Sequence, residues 1–292
     1  MPFGYSRGGG GGRRGFNPRI LIALVIAVIG IVGYLGKKSI NPVTGEKQYV
    51  DLSPKQEIAL GLEATPQMAQ QMGGIIPPER DPRAAMVAEV GRHIVQSSDA
   101  NNPNNPYRQN FNFHLLNDPK TINAFALPGG QVFITLALYE QLQNEAQLAG
   151  VLGHEIGHVI GRHASEHMAK GKLGSMLATA VGVGASDERG RGMGAAVAAQ
   201  AANQMIQLKF GRADENESDN LGLKYMTQSG YDPREMLGVM EVLRAASKGG
   251  RQPEWMSSHP LPENRLQEIA AWVKQQFPSG IPDELTKGRP LP

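Results

Sequence analysis

The sequence predicts an α+β fold, mostly helical, with a small antiparallel sheet and one N-terminal transmembrane helix. Three observations predict it. Capped amphipathic stretches fill most of the chain, three short strand-like runs cluster between residues 111 and 135, and an uncharged apolar run spans Ile20–Leu35. The length of 292 residues accommodates one large domain or two small ones, and 40% hydrophobic with 19% charged residues suits a globular chain. There is no cysteine, which excludes a disulfide framework, a cysteine-ligated metal, a thiol nucleophile and a cysteine-linked lipid anchor. Six basic and no acidic residues lie in 1–38, so the remainder carries 23 Lys+Arg against 27 Asp+Glu, a net of −4. Without a basic face, nucleic acid is not expected as a partner.

In order along the chain, residues 1–18 are a Gly/Arg-rich tail expected to be disordered. Residues 19–36 follow as a membrane anchor. Four arginines precede the apolar run and two lysines follow it, which places the N-terminus in the cytoplasm and the rest outside. The alternatives are export with cleavage of this segment, against which no A-x-A site follows, and a buried core helix. Residues 37–80 read as an extended linker and a helix, begun by the capping signature Ser53-Pro54-Lys55-Gln56 and ended by Gly73-Gly74. Asp81-Pro82 opens the main domain, 81–280, with a second helix. Strands are expected at Phe111–Leu115, Thr121–Ala126 and Gln131–Thr135. Helices are expected from Asn144, through the Gly/Ala-rich stretch Lys172–Ala202, and at about Gln204–Ser229, Pro233–Ala246 and Glu263–Phe277. Residues 281–292 read as a tail.

The chemistry sits in His154-Glu155-Ile156-Gly157-His158. On a helix, residues i and i+4 lie about 40° apart, so His154 and His158 can share one Zn²⁺ while Glu155 stands beside it as a base for bound water. One zinc per chain is expected. A third histidine at the metzincin spacing is absent, since position 164 is Ala and His163 misses by one. A glutamate on a later helix is the other solution. Glu215 shares a mostly apolar face with Asp219, Gly222, Leu223 and Met226, whereas Glu217 shares a polar one with Asn220, Lys224 and Gln228. Glu215 is therefore the expected ligand and Glu217 a solvated residue. Asp219, one turn on, is placed to hold a ligand imidazole by its second nitrogen.

These motifs, with Asn123–Thr135 upstream and Ser258-His259-Pro260-Leu-Pro-Glu-Asn-Arg265 downstream, resemble the gluzincin peptidase family of the CaaX prenyl protease, HtpX, Oma-type and BepA-type proteases. The resemblance covers about Asp81 to Phe277. It departs at Gly211, where a Ser often precedes the Arg, and at Ser218, where Ala is usual. It implies a zincin-like domain that cleaves polypeptides, with quality control of unfolded or misassembled extracytoplasmic proteins as its role. It also implies that an edge strand, here Gln131, Val132, Phe133, Ile134 and Thr135, pairs with the substrate. His259 is implied near the metal, as a catalytic residue or a fourth ligand, and Arg265 as an orienting or oxyanion-binding group. His93, His114, His163 and His167 are read as structural. Two other functions stay open: a non-proteolytic chaperone or scaffold on a peptidase fold, and a zinc hydrolase of non-peptide substrates. The stretch Gly171–Ala202 is expected to act as a lid over the cleft.

Overall fold

The computed structural model describes residues 18–185, 209–247, 253–260 and 264–292. The apolar run forms α1 (Pro18–Leu35), whose Ile, Leu and Val side chains are largely exposed. The stretch expected as a linker instead folds into a hairpin of β1 (Lys38–Ile40) and β2 (Lys47–Tyr49), turned by Asn41, whose side chain accepts from the Val43 and Thr44 amides at 2.9 and 3.2 Å. Next comes α2 (Pro54–Gln71), and its capping box is formed: Ser53 Oγ accepts from the Gln56 amide while Gln56 reaches back to that of Ser53. After β3 (Ile75–Ile76), α3 (Pro82–Ser97) starts on Asp81, which accepts from the Arg83 amide.

The remaining strands are β4 (Asn112–Leu116), β5 (Ala124–Leu127) and β6 (Gln131–Thr135), and the sheet order is β3-β4-β6-β5. β6 pairs antiparallel with β5 but parallel with β4. This corrects the expected substrate strand. Gln131, Val132, Phe133, Ile134 and Thr135 are all buried and paired on both sides, and the edge strands are β3 and β5. The physical reason is visible in Val132-Phe133-Ile134, an unbroken apolar run of the kind a strand covered on both faces carries.

A short α4 (Leu136–Tyr139) leads into α5 (Glu145–Gly161), every residue of which is buried. It is followed by α6 (His163–Ala185), α7 (Arg212–Gln228), α8 (Glu235–Ser247), α9 (Glu254–Ser258) and α10 (Arg265–Gln276). One continuous core joins α3, the sheet, α5, α7 and α8. The described part of the expected lid, Gly171–Ala185, belongs to α6 and runs along α1 rather than over α5; residues 186–202 lie outside the described residues, as does the Gly/Arg-rich tail up to residue 17.

α5 is held at both ends. At its N-terminus the Glu145 and Ala146 amides donate to the Arg289 and Lys287 carbonyls at 3.0 Å each, so residues 281–292 are a docked strap rather than a tail. At its C-terminus, Asn41 and Gln48 of the hairpin donate side-chain N–H to the Ile160 and Gly161 carbonyls at 2.7 and 2.5 Å. These are the end groups that a helix cannot satisfy internally. Arg162 then turns the chain with φ 60, and its guanidinium is fixed by Glu57 at 2.8 Å and by the Leu52 carbonyl at 2.6 Å. Tyr107 donates its hydroxyl to the same Glu57.

Glu235 links strap and helix: it accepts from Asn144 and Gln147 at 2.9 and 3.0 Å and pairs with Lys287 at 2.9 Å. Burial raises its pKa, but these partners outweigh burial and hold it below the usual carboxylate range. Its contribution is therefore complete above the unfolded value of about 4.3 and is lost as pH falls through the lower folded value. Glu235→Ala strands two amides and should cost about 1–3 kcal/mol in urea unfolding at pH 7. The gap to the parent protein should narrow as the pH is lowered below that unfolded value, and an unchanged gap would exclude the charged contribution.

Candidate metal centre

α5 presents His154, Glu155 and His158 on one buried face, and α7 crosses it at backbone contact. Small residues permit that crossing. A Cβ on Gly157 would stand 2.9 Å from the Ser218 Cα, and one on Gly222 would stand 3.0 Å from the His154 nitrogen. This approach brings Glu215 and Asp219 onto the two histidines. Glu215 is 1% exposed, whereas the Glu217 side chain is 27% exposed.

The donor atoms of His154, His158, Glu215 and His259 lie within 4.8 Å of one another, all buried. His154 Nε2 is 3.0 Å from His158 Nε2, 3.3 Å from His259 Nδ1 and 3.6 Å from Glu215 Oε2. Glu215 Oε1 is 3.5 Å from His158 Nε2 and 3.0 Å from His259 Nδ1. A tetrahedral zinc with bonds of about 2.0–2.1 Å separates its ligand atoms by about 3.3–3.4 Å, so the set has the size of a zinc shell.

The outer partners fix which nitrogens face inward. His154 Nδ1 is 2.8 Å from Asp219 Oδ1, so it donates there and its Nε2 lone pair points into the cluster. His158 Nδ1 is 2.9 Å from His163 Nδ1, and His163 Nε2 reaches Glu217 Oε2 at 3.2 Å. With His163 donating to Glu217, its Nδ1 accepts from His158, and the His158 Nε2 lone pair also points inward. Burial and the neighbouring His154 and His259 rings push His158 well below the ordinary histidine value, so it is neutral. Without a proton between them, the two Nε2 lone pairs face each other at 3.0 Å and are placed to share one cation. Glu215 is raised by burial but held lower by His259, His154 and Arg265. His259 is pushed down by burial, and Glu215 and Glu155 more than offset this.

Arg265 lies behind the carboxylates, 0% exposed. It forks onto Asp219, Nε to Oδ2 at 2.5 Å and Nη2 to Oδ1 at 2.8 Å, and reaches Glu215 Oε2 at 2.7 Å. Three of its donors are thereby turned onto the two carboxylates, a placement compatible with an orienting role. Glu155 Oε1 accepts from Trp255 Nε1 at 3.1 Å, while its Oε2 has no hydrogen-bond partner among the described residues.

Two residues near the centre, Trp255 and Phe210, have no counterpart in the sequence expectations, and a third, His163, has a contact that the expected structural role did not specify. Trp255 holds Glu155 and stacks on His259 with centroids 4.8 Å apart, and Phe210 covers the His158 ring at 4.2 Å. His163 contacts His158 because the chain turns at Arg162 and swings the imidazole back, where a continuous helix would carry it away; Glu217 is its partner rather than a solvated residue. Beyond the centre, His167 pairs with Asp214 at 2.8 Å, His93 bonds the Ser229 carbonyl, and His114 bonds Gln131.

A buried His-His-Glu set on crossed helices, with a carboxylate beside it, defines a zinc metallopeptidase of the gluzincin class. The chain belongs to peptidase family M48, whose sequence profile matches residues 82–273. It is 32% identical over 249 residues to the beta-barrel assembly-enhancing protease of Escherichia coli K12, covering 81% of this chain and 48% of that protein. The Yersinia pestis protein of the same name is 31% identical over 258 residues, 84% and 50% of the two chains. The mitochondrial metalloendopeptidase OMA1 of Schizosaccharomyces pombe is 27% identical over 235 residues, 80% and 66% of the two chains. The chain thus spans about half the length of these bacterial relatives.

Proposed function

We propose that the protein is a membrane-anchored zinc endopeptidase that cuts extended stretches of unfolded or misassembled extracytoplasmic protein. The observation that carries this reading is the pair of inward lone pairs on His154 and His158 beside Glu215 and the free oxygen of Glu155. His154, His158 and Glu215 would hold Zn²⁺, with His259 as a fourth donor in the resting site. The metal supplies polarisation of the scissile carbonyl and acidification of a water. Glu155, steadied at Oε1 by Trp255, would hold at Oε2 the proton that passes from water to the leaving amine. For that water to enter, His259, which directly follows α9, would give up its place.

The free edge of β5, packed along α5, supports an extended peptide substrate that adds as a further strand beside the centre. α1 supports the anchor, being long and apolar enough to cross a membrane. The arginine excess before it supports a cytoplasmic N-terminus and an extracytoplasmic domain. Relatives named as a protease of beta-barrel assembly and as metalloendopeptidases favour a peptide substrate over a scaffold role or non-peptide hydrolysis.

The test is digestion of casein by zinc-loaded and chelated protein, with the new N-termini sequenced. Internal cuts that vanish on chelation and return with zinc are expected; none from the loaded protein would leave the scaffold reading. Zinc titration against a chelator sorts the ligands. Glu215→Ala should abolish binding, His163→Ala should weaken it by about 10–100-fold, and Glu217→Ala should weaken it less. Loss of zinc in Glu217→Ala but not in Glu215→Ala would overturn the assignment.

A further inference from the structure

Resting on the membrane anchor proposed above, we infer that the outer half of α6 lies in the lipid bilayer beside α1, so that the anchor is a two-helix unit. α6 packs antiparallel to α1: Ala169 and Lys172 lie by Tyr34 and Lys37, while Leu173 and Met176 lie against Gly30. From Leu173 to Ala185 the sequence holds no charged residue. The helix therefore follows α1 for about 18–20 Å at ~1.5 Å per residue, too short to cross alone but shielded along one side by a helix that can.

Three details point to lipid rather than water or protein around this stretch. First, both hydroxyls on it turn back onto their own helix, Ser175 Oγ to the Gly171 carbonyl at 3.1 Å and Thr179 Oγ1 to the Ser175 carbonyl at 2.8 Å. Thr65, Thr227 and Ser247 make the same bond elsewhere in the chain, but here it leaves no polar side chain on the stretch that lipid would strand. Second, charge appears abruptly on both helices at one level. Lys37 and Lys172 flank Asp51, Lys38 and Lys170 are exposed beside them, and Glu166 pairs with Lys170. Four lysines against two carboxylates form a collar suited to anionic headgroups. Third, Tyr34 and Tyr49 stack at the same level with centroids 4.9 Å apart, amphipathic rings of the kind that settle at a bilayer interface. From His163, which touches the expected ligand His158, to Lys172 in the collar α6 rises about 14 Å, so the metal centre lies near the headgroups.

The chain has no cysteine, so single cysteines report cleanly. Val28→Cys on α1, Ala178→Cys on α6 and Lys274→Cys on α10, each labelled with the fluorophore NBD, are reconstituted as full chains in phosphatidylethanolamine–phosphatidylglycerol vesicles. Acyl-chain-brominated lipid should quench positions 28 and 178 alike and leave 274 unquenched. Quenching at 28 without quenching at 178 overturns the two-helix unit and leaves the anchor standing. A blue-shifted but unquenched label at 178 means that protein, such as a second copy, covers α6, and also overturns it. Quenching at neither position defeats the anchor and this inference together.

Discussion

Glu155→Gln should leave a folded, zinc-loaded protein whose hydrolysis of casein falls by about 10²–10⁴-fold, the usual contribution of a positioned general base. The substitution keeps size and keeps an oxygen to accept from Trp255, so packing around the buried side chain is undisturbed. It removes only the capacity of the unpartnered oxygen to take a proton. Zinc content, unfolding midpoint and turnover measured together separate chemistry from binding. Near-normal turnover would refute the mechanism, and loss of zinc would mean that Glu155 holds the metal rather than the proton.

Arg265→Met should have the largest effect on stability of any change outside the ligands. It leaves Asp219 and Glu215 as buried carboxylates without their cation, and breaking a buried pair in this way costs about 3–5 kcal/mol. It also frees the side chains that orient His154 and supply a donor, so zinc affinity should fall by about 10–100-fold. The sign of the pH dependence follows from Asp219. Burial raises its pKa, but Arg265 and His154 hold it far below the usual range. The stabilisation is complete above the unfolded value of about 3.9 and is lost as pH falls toward the folded one. The deficit of the metal-free variant in urea should therefore shrink when the pH is lowered through about 4. A deficit below about 1 kcal/mol at neutral pH would make the pair no stronger than a surface bridge.

The parts legible in the sequence are those written in local periodicity. The caps at Ser53 and Asp81, the two-histidine face of α5 and the side of α7 that bears Glu215 all follow from helical spacing. What was illegible depends on contacts between distant segments. β6 sits in the middle of its sheet because β4 joins it in parallel, a pairing that residues 131–135 do not encode beyond their unbroken apolar run. Trp255 finds Glu155 100 residues upstream, and no spacing rule links them. His163, read as structural, was not placed against His158 because a left-handed arginine at position 162 is not forecast by residue type; Glu57 and Leu52, held elsewhere, make it tenable. The strap over residues 281–292 is attached largely through backbone groups, which leave no pattern in side-chain hydrophobicity.

The double grip on α5 bears on when the enzyme becomes active in its lifetime. The clasping groups lie 119 residues before Ile160, at Asn41, and 144 residues after Glu145, at Arg289. Contacts so remote in sequence close late, after local helices have formed. A ribosome-bound chain that has already exposed its histidines still lacks the segment that finishes their helix. The first turn of α5 is thus completed only once a segment 144 residues further on has docked. A single nick between α10 and the strap should therefore loosen the first turn of α5, where the Glu145 and Ala146 amides would lose their acceptors.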